Sequence, residues 1–220
     1  MAFNSRMRWS ILLVVTLLFV HQSRQQGKTS FKILRNPTAL DGSFLYVTFY
    51  PTDCGRRVMS SRIVGGSQSS ASEFPWMAHL DIFFWSKDAA ECGGTLISNR
   101  WVLTAAHCLY GAVEVNVTLG VDDIRSTSDP YRQVFNVPAK SFYVQPSWYY
   151  GNVEDDIALL DLQNAVVLSE RVQPACLPFA EDPDHVNDRV VLTGRGNFSS
   201  IGTEYTSFSQ HIYARFKLYL

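Results

Sequence analysis

The sequence predicts an all-β fold of short antiparallel strands, a barrel or a sandwich, and three observations lead there. Val113, Val115, Val117 and Leu119 alternate with Glu114, Asn116 and Thr118, a period of two that gives a strand one face for a core and one for water. Further apolar runs follow from Ile63 onward: Trp76 to Trp85, Thr95 to Ser98, Trp101 to Thr104, Val134 to Val144, Ile157 to Leu162 and Val190 to Thr193. All are short and separated by Gly, Pro, Asn, Asp and Ser. Long amphipathic helical patterns are lacking, and Ala105 to Leu109 alone reads as a helical turn.

Composition sets the bounds around that fold. A chain of 220 residues, 46% hydrophobic and 18% charged, is globular in character and long enough for one or two cores. A formal net charge of -1 gives no electrostatic reason to expect nucleic acid as a partner. Neither zinc-finger spacing nor a phosphate-binding glycine loop occurs.

The N-terminus reads as an address. Arg6 and Arg8 precede an apolar run from Trp9 to Val20, after which His21, Gln22, Ser23 and Arg24 turn polar. That run is shorter than the roughly 20 residues a helix needs to cross a bilayer. Residues 1–26 are therefore expected to be a cleaved secretory signal, with membrane association only if the segment stays uncleaved. Residues 27–62 read as a pro-region too short for its own core, although Phe44, Tyr46, Thr48 and Tyr50 alternate as in a strand. The domain proper is expected over 63–220.

Four cysteines, Cys54, Cys92, Cys108 and Cys176, allow three pairings. Their even number, the secretory context and the lack of a CxxC unit favour structural bridges over metal ligands or a redox pair.

The chemistry centres on His107. It follows an apolar strand and two alanines in the run Trp101, Val102, Leu103, Thr104, Ala105, Ala106, His107, Cys108. Alone, such a histidine is more often a packed structural residue than a catalyst. Asp156, taken alone, could equally cap a turn before a strand.

Together these residues change the odds. The WVLTAAHC run resembles the histidine motif of the trypsin and chymotrypsin family, and three further motifs agree with it in the family's order. These are RIVGG from Arg62 to Gly66, CGGTLIS from Cys92 to Ser98 and DDIALL from Asp155 to Leu160. The resemblance implies two six-stranded antiparallel barrels with a site between them. It makes His107 the general base and Asp156, immediately before Ile-Ala-Leu, its orienting carboxylate, with Asp155 as the rival. It also implies activation by a trypsin-like protease cleaving between Arg62 and Ile63, the bridges Cys92–Cys108 and Cys54–Cys176, and protein or peptide substrates. No cofactor is implied.

The departures from the family pattern matter as much. No Gly-Asp-Ser-Gly-Gly segment occurs in the sequence, Gly194-Arg195-Gly196 stands where the family has Gly-Trp-Gly, and Ser207 and Ser209 lack flanking glycines. The second barrel is expected to be largely missing and the chain to be inactive alone: a serine endopeptidase by family, made as a secreted zymogen, without its nucleophile. A non-catalytic protease homologue acting as a binding or regulatory protein is the alternative.

Two smaller signals remain. Asn116 and Asn197 open N-glycosylation sequons. Asp122, Asp123 and Asp129 occupy a loop where some relatives bind calcium, but Val121 stands where an acidic ligand would be needed, so no metal is expected.

Overall fold

The structure, a computed structural model, describes residues 29–35, 44–49, 54–56, 67–68, 70–177, 190–196 and 206–212. Its main body is a seven-stranded antiparallel sheet. The strands are β4 (Met77–Phe84), β5 (Ala89–Leu96), β6 (Trp101–Thr104), β7 (Ala112–Leu119), β8 (Gln133–Pro138), β9 (Phe142–Val144) and β10 (Ala158–Asp161), in the order β8-β7-β4-β5-β6-β10-β9. Its two edge strands, β8 and β9, are parts of one pass of chain, separated by the 3-10 turn Ala139–Ser141. A sheet whose opposite edges are the same segment must curl round on itself, so the seven strands are six passes of a barrel.

Alternation builds the interior. Ala78, Leu80 and Ile82 of β4 and Val115, Val117 and Leu119 of β7 point inward and are buried. They meet Trp76, Leu96, Val102 and Leu160 in one apolar core. The alternating run 113–119 and the β4, β6 and β10 runs lie close to where the sequence reading put them.

Two elements differ, each for a physical reason. β5 begins at Ala89, well before the apolar run at Thr95, because it is held by pairing with β4 from Met77↔Thr95 to Phe83↔Ala89 and not by a pattern of its own. Within β5, Gly94 lets β6 approach: a Cβ there would stand 2.7 Å from Val102 Cγ1. The run Val134–Val144 is broken at Pro138, which has no N–H to give to a ladder and leads into the 3-10 turn. Thr118 and His79 sit on the outer, nominally wet face, yet both are buried.

β6 and β10 are covered on both sides. Val102, Ala158 and Leu160 enter the main core, while Trp101 and Leu159 join Ile97 in a second cluster on the opposite face, with Leu103 and Tyr143 packed against it. Trp101 and Tyr143 meet edge to face at 5.3 Å between centroids. This two-sided pair is the frame on which the candidate site stands.

Outside the barrel, β1 (Thr29–Arg35) pairs with β2 (Phe44–Phe49), within the expected pro-region, and β11 (Val190–Gly196) pairs with β12 (Thr206–Ile212), which pairs in turn with β3 (Ser67–Gln68). The described residues thus hold one complete barrel and three strands of a separate sheet. Among the described residues no helix is long and apolar enough to cross a membrane, and the apolar run 9–20 lies outside them.

Candidate active site

Antiparallel pairing of β6 with β10 brings His107 to Asp156. The ladder ends at Thr104↔Ala158. His107 lies three residues beyond one end of that pair and Asp156 two residues before the other, so both emerge at the same edge of the sheet. β6 closes into the short helix α1 (Ala106–Leu109), whose Ala106, Cys108 and Leu109 are buried and fix its seating. Its second residue is His107.

The carboxylate of Asp156 grips the histidine twice. Oδ1 accepts the backbone N–H of His107 at 2.8 Å, and Oδ2 lies 2.5 Å from Nδ1. An acceptor facing Nδ1 holds the imidazole as the Nδ1–H tautomer when it is neutral. Nε2 then carries the lone pair, with the bridged Cys108 Sγ 3.6 Å away. The His107 side chain is 37% exposed and that of Asp156 23%, so the pair is partly desolvated while the ring keeps an open face.

Asp155 is turned elsewhere. It is exposed and takes a left-handed φ of 59°, with Ile157 N–H donating to its carbonyl at 2.7 Å. Aspartate tolerates this conformation better than most residues. The geometry therefore pairs Asp156, not Asp155, with His107.

Disulfides tie both ends of the assembly. Cys92 of β5 bonds Cys108, with Cα atoms 6.3 Å apart, anchoring α1 to the sheet. The same bond removes both sulfurs as ligands from the cluster they form with His107. Cys54 bonds Cys176, with Cα atoms 5.0 Å apart, and the Gly55 N–H donates to Pro174 O at 2.8 Å, so the segment before Arg62 is tied to the barrel.

Beside His107 the structure shows aromatic side chains that sequence reasoning passed over. Tyr110 stacks on Tyr150 at 4.5 Å and meets Trp148 edge to face at 6.1 Å. Tyr110 and Tyr150 are exposed. The loop carrying Trp148 and Tyr150 is closed at its base by Gln145 N–H to Ile157 O at 3.1 Å and pinned by Trp148 Nε1–H to Asn152 O at 3.0 Å. A Trp-Tyr-Tyr run set between Pro146 and Gly151 was the available signal: aromatics in a turn-bounded loop have no core of their own to enter.

The remaining candidates are placed as follows. Asn116 is half-buried in mid-strand, its Oδ1 accepting from Asn136 Nδ2 at 3.2 Å. Arg62, Ile63 and Asn197 lie outside the described residues. In the aspartate loop the centre is a guanidinium: Arg171 Nη1 lies 3.3 Å from Asp122 Oδ2 and 3.2 Å from Asp129 Oδ2, while Asp123 pairs with Arg125. The loop's turn requires Gly120, at φ +79°, because a Cβ there would lie 2.3 Å from Tyr131 O.

Comparison with known proteins now bears on this geometry. The family model described as Trypsin matches residues 63–215, well over half of the chain. The chain belongs to the trypsin family. Rat vitamin K-dependent protein C is 37% identical over 141 residues, covering 63% of this chain and 29% of that protein. Serine protease 7 of Drosophila melanogaster is 34% identical over 162 residues, covering 66% of this chain and 41% of that one. The chain thus spans less than half the length of these two trypsin-family relatives. Among solved structures, GrC superposes with a TM-score of 0.59 at 28% identity, over 67% of this chain and 63% of its own. HL collagenase superposes with a TM-score of 0.55 at 29% identity, over 66% and 61%. The all-β, trypsin-like barrel expected from the sequence is the fold found.

Proposed function

We propose that this chain carries the base-bearing half of a secreted serine endopeptidase, made as a zymogen cleaved between Arg62 and Ile63, and that the 220 residues alone do not hydrolyse peptides. The observation that carries the reading is the Nδ1–Asp156 contact, which leaves His107 Nε2 as a proton acceptor at the open face of the ring. In acyl transfer a serine hydroxyl at Nε2 would give up its proton as the oxygen attacks a carbonyl. Asp156 would steady the imidazolium so formed, and the proton would pass on to the leaving amine.

The nucleophile is the missing partner. No Gly-Asp-Ser-Gly-Gly segment occurs in the sequence. Ser207 and Ser209 lie within the paired ladder of β12, opposite Arg195 and Thr193, in extended backbone and not in a tight turn with converging N–H donors. Loss of one triad member alone costs many orders of magnitude in rate. Family membership and the two disulfides support an extracellular setting, and the Cys54–Cys176 bond supports a pro-segment that stays attached after cleavage.

The test is direct. Material cleaved after Arg62 should neither turn over an ester substrate nor be labelled by a fluorophosphonate, and its new N-terminus should read Ile63. Labelling of Ser207 or Ser209 would overturn the claim of inactivity. Coding sequence running on from Leu220 into a Gly-Asp-Ser-Gly-Gly segment would mark the chain as part of a working peptidase; if every transcript closes at Leu220, the endopeptidase reading fails.

A further inference from the structure

A second cluster of chemistry-bearing side chains lies on the outer face of β4. Alternation sends Met77, His79 and Asp81 to that face. His79 is only 5% exposed, and its Nε2 stands 3.0 Å from Asp81 Oδ1. Across the ladder with β5, Asp81 directly faces Glu91. One nitrogen of His79 and one carboxylate oxygen from each acid all lie within 4.8 Å of one another.

We propose that His79, Asp81 and Glu91 bind a divalent transition-metal ion of the zinc class. The donor set chooses the class: an imidazole nitrogen with two carboxylates suits Zn²⁺ and its neighbours, whereas Ca²⁺ and Mg²⁺ take oxygen ligands. Zinc bonds of about 2.0–2.1 Å in a tetrahedron set ligand atoms roughly 3.3 Å apart. The His79–Asp81 pair already meets that spacing. Glu91 is exposed and closes the remaining gap by a change of rotamer. Two paired strands hold the ligand Cα atoms in fixed register, and a water completes the shell from the open, carboxylate side.

An independent observation points the same way. Thr118 of β7 directly faces His79 in register. It is 1% exposed, and its Oγ1 is buried without a hydrogen-bond partner. Such an orphan costs stability and calls for a reason. When Nε2 of a neutral His79 takes an ion, the ring proton moves to Nδ1, and a metal-bound histidine characteristically donates that second N–H to a supporting acceptor. Of the two buried hydroxyls without a partner among the described residues, Thr95 faces Met77, and Thr118 is the one in register with His79. One site thus gives roles to the buried ring, to both acids and to the idle hydroxyl.

The experiment uses the full chain, stripped with chelator and titrated with Zn²⁺ alone by calorimetry, and with Co²⁺ to read the ligand-field bands. One ion per chain is expected. Glu91→Gln, an exposed change that leaves folding intact, should weaken binding by more than the roughly 10–100-fold that loss of a supporting partner costs, and Thr118→Val by about that supporting-partner amount. Thr118→Val should also raise the stability of the metal-free protein, since it removes only an unpaired hydroxyl. His107→Ala should leave the affinity unchanged. Absence of Zn²⁺ binding, Glu91→Gln binding like the parent, or binding lost in His107→Ala would each overturn the proposal, and none of them bears on the activity reading.

Discussion

The two ends of the β6–β10 ladder carry the same device put to different ends. At one end Asp161 clasps Arg100, the residue before β6, with Nε at 2.5 Å from Oδ1 and Nη2 at 2.8 Å from Oδ2. At the other, Asp156 clasps His107, just beyond β6. In each, a carboxylate on one strand's flank takes two donors from the other's. The difference lies in what is left over. The guanidinium is a permanent cation whose fork matches the carboxylate, and the hydrogen bonding it donates to Asp161, above all, holds its pKa still higher than usual. The imidazole gives Asp156 one ring nitrogen and keeps the other. A structural clamp spends its polar groups on the fold, whereas a candidate catalytic pair keeps one in reserve.

Breaking the anchor of the His107 end should have the largest effect. The Cys92–Cys108 bond closes a loop with a sequence separation of 16, and a loop of that size is worth about 3 kcal/mol in the chain-entropy view. Replacing both cysteines by alanine should lower the urea unfolding free energy by about that amount. It should also speed amide exchange in α1 more than at Arg100. Equal acceleration at both ends would show that the bridge supports the barrel at large and not the histidine's end of it.

Matched substitutions of the two carboxylates sharpen the contrast. Asp161→Asn should cost about 1 kcal/mol, since Arg100 is 47% exposed and water can replace part of the pairing. Asp156→Asn should cost a similar amount, about 1 kcal/mol, yet move protons that Asp161→Asn does not. Nitrogen NMR of His107 should show the Nδ1–H tautomer in the parent and in Asp161→Asn, and a shift toward Nε2–H only in Asp156→Asn. An unchanged tautomer in Asp156→Asn would remove the chemical distinction between the two ends.

Much of this was legible in the sequence, unevenly. The barrel interior could be read because Val115, Val117 and Leu119 point into an apolar core, and period two is a local property. The His107 and Asp156 positions came from motif resemblance, and the choice of Asp156 over Asp155 became physical only with the left-handed φ at Asp155 and the two hydrogen bonds to His107. Burial of the outer face was not legible. Thr118 reads as a wet position and His79 as a histidine in an apolar run, yet both are buried, and Met77 on the same face of β4 meets Thr193, far along the chain, a contact that local periodicity does not carry. The same limit hid Arg171, a surface-looking cation that lies between Asp122 and Asp129, and Tyr110, whose stacking partner comes from the 145–157 loop. The strand at 206–212 was missed for a related reason: no alternation marks it, and its partners are 190–196 and 67–68.

The smallest expected effect tests whether the Tyr143 phenol, near the Arg100 end, is as dry as its packing implies. Tyr143 of β9 lies against Trp101, and burial, with the nearby Asp161 charge adding, pushes its phenol above the ordinary value near 10, against the opposing pull of Arg100. In the unfolded chain that proton leaves as the pH passes about 10; in the folded protein it stays on. Above that point the unfolded state binds fewer protons, so stability falls as pH rises. The contribution is complete below the unfolded value and is lost as the pH climbs through the raised folded one. Urea midpoints measured from pH 8 into the alkaline range should therefore decline more steeply in the parent than in Tyr143→Phe. Identical slopes would mean that the phenol is already wet in the fold, and that its packing against Trp101 does not keep water out.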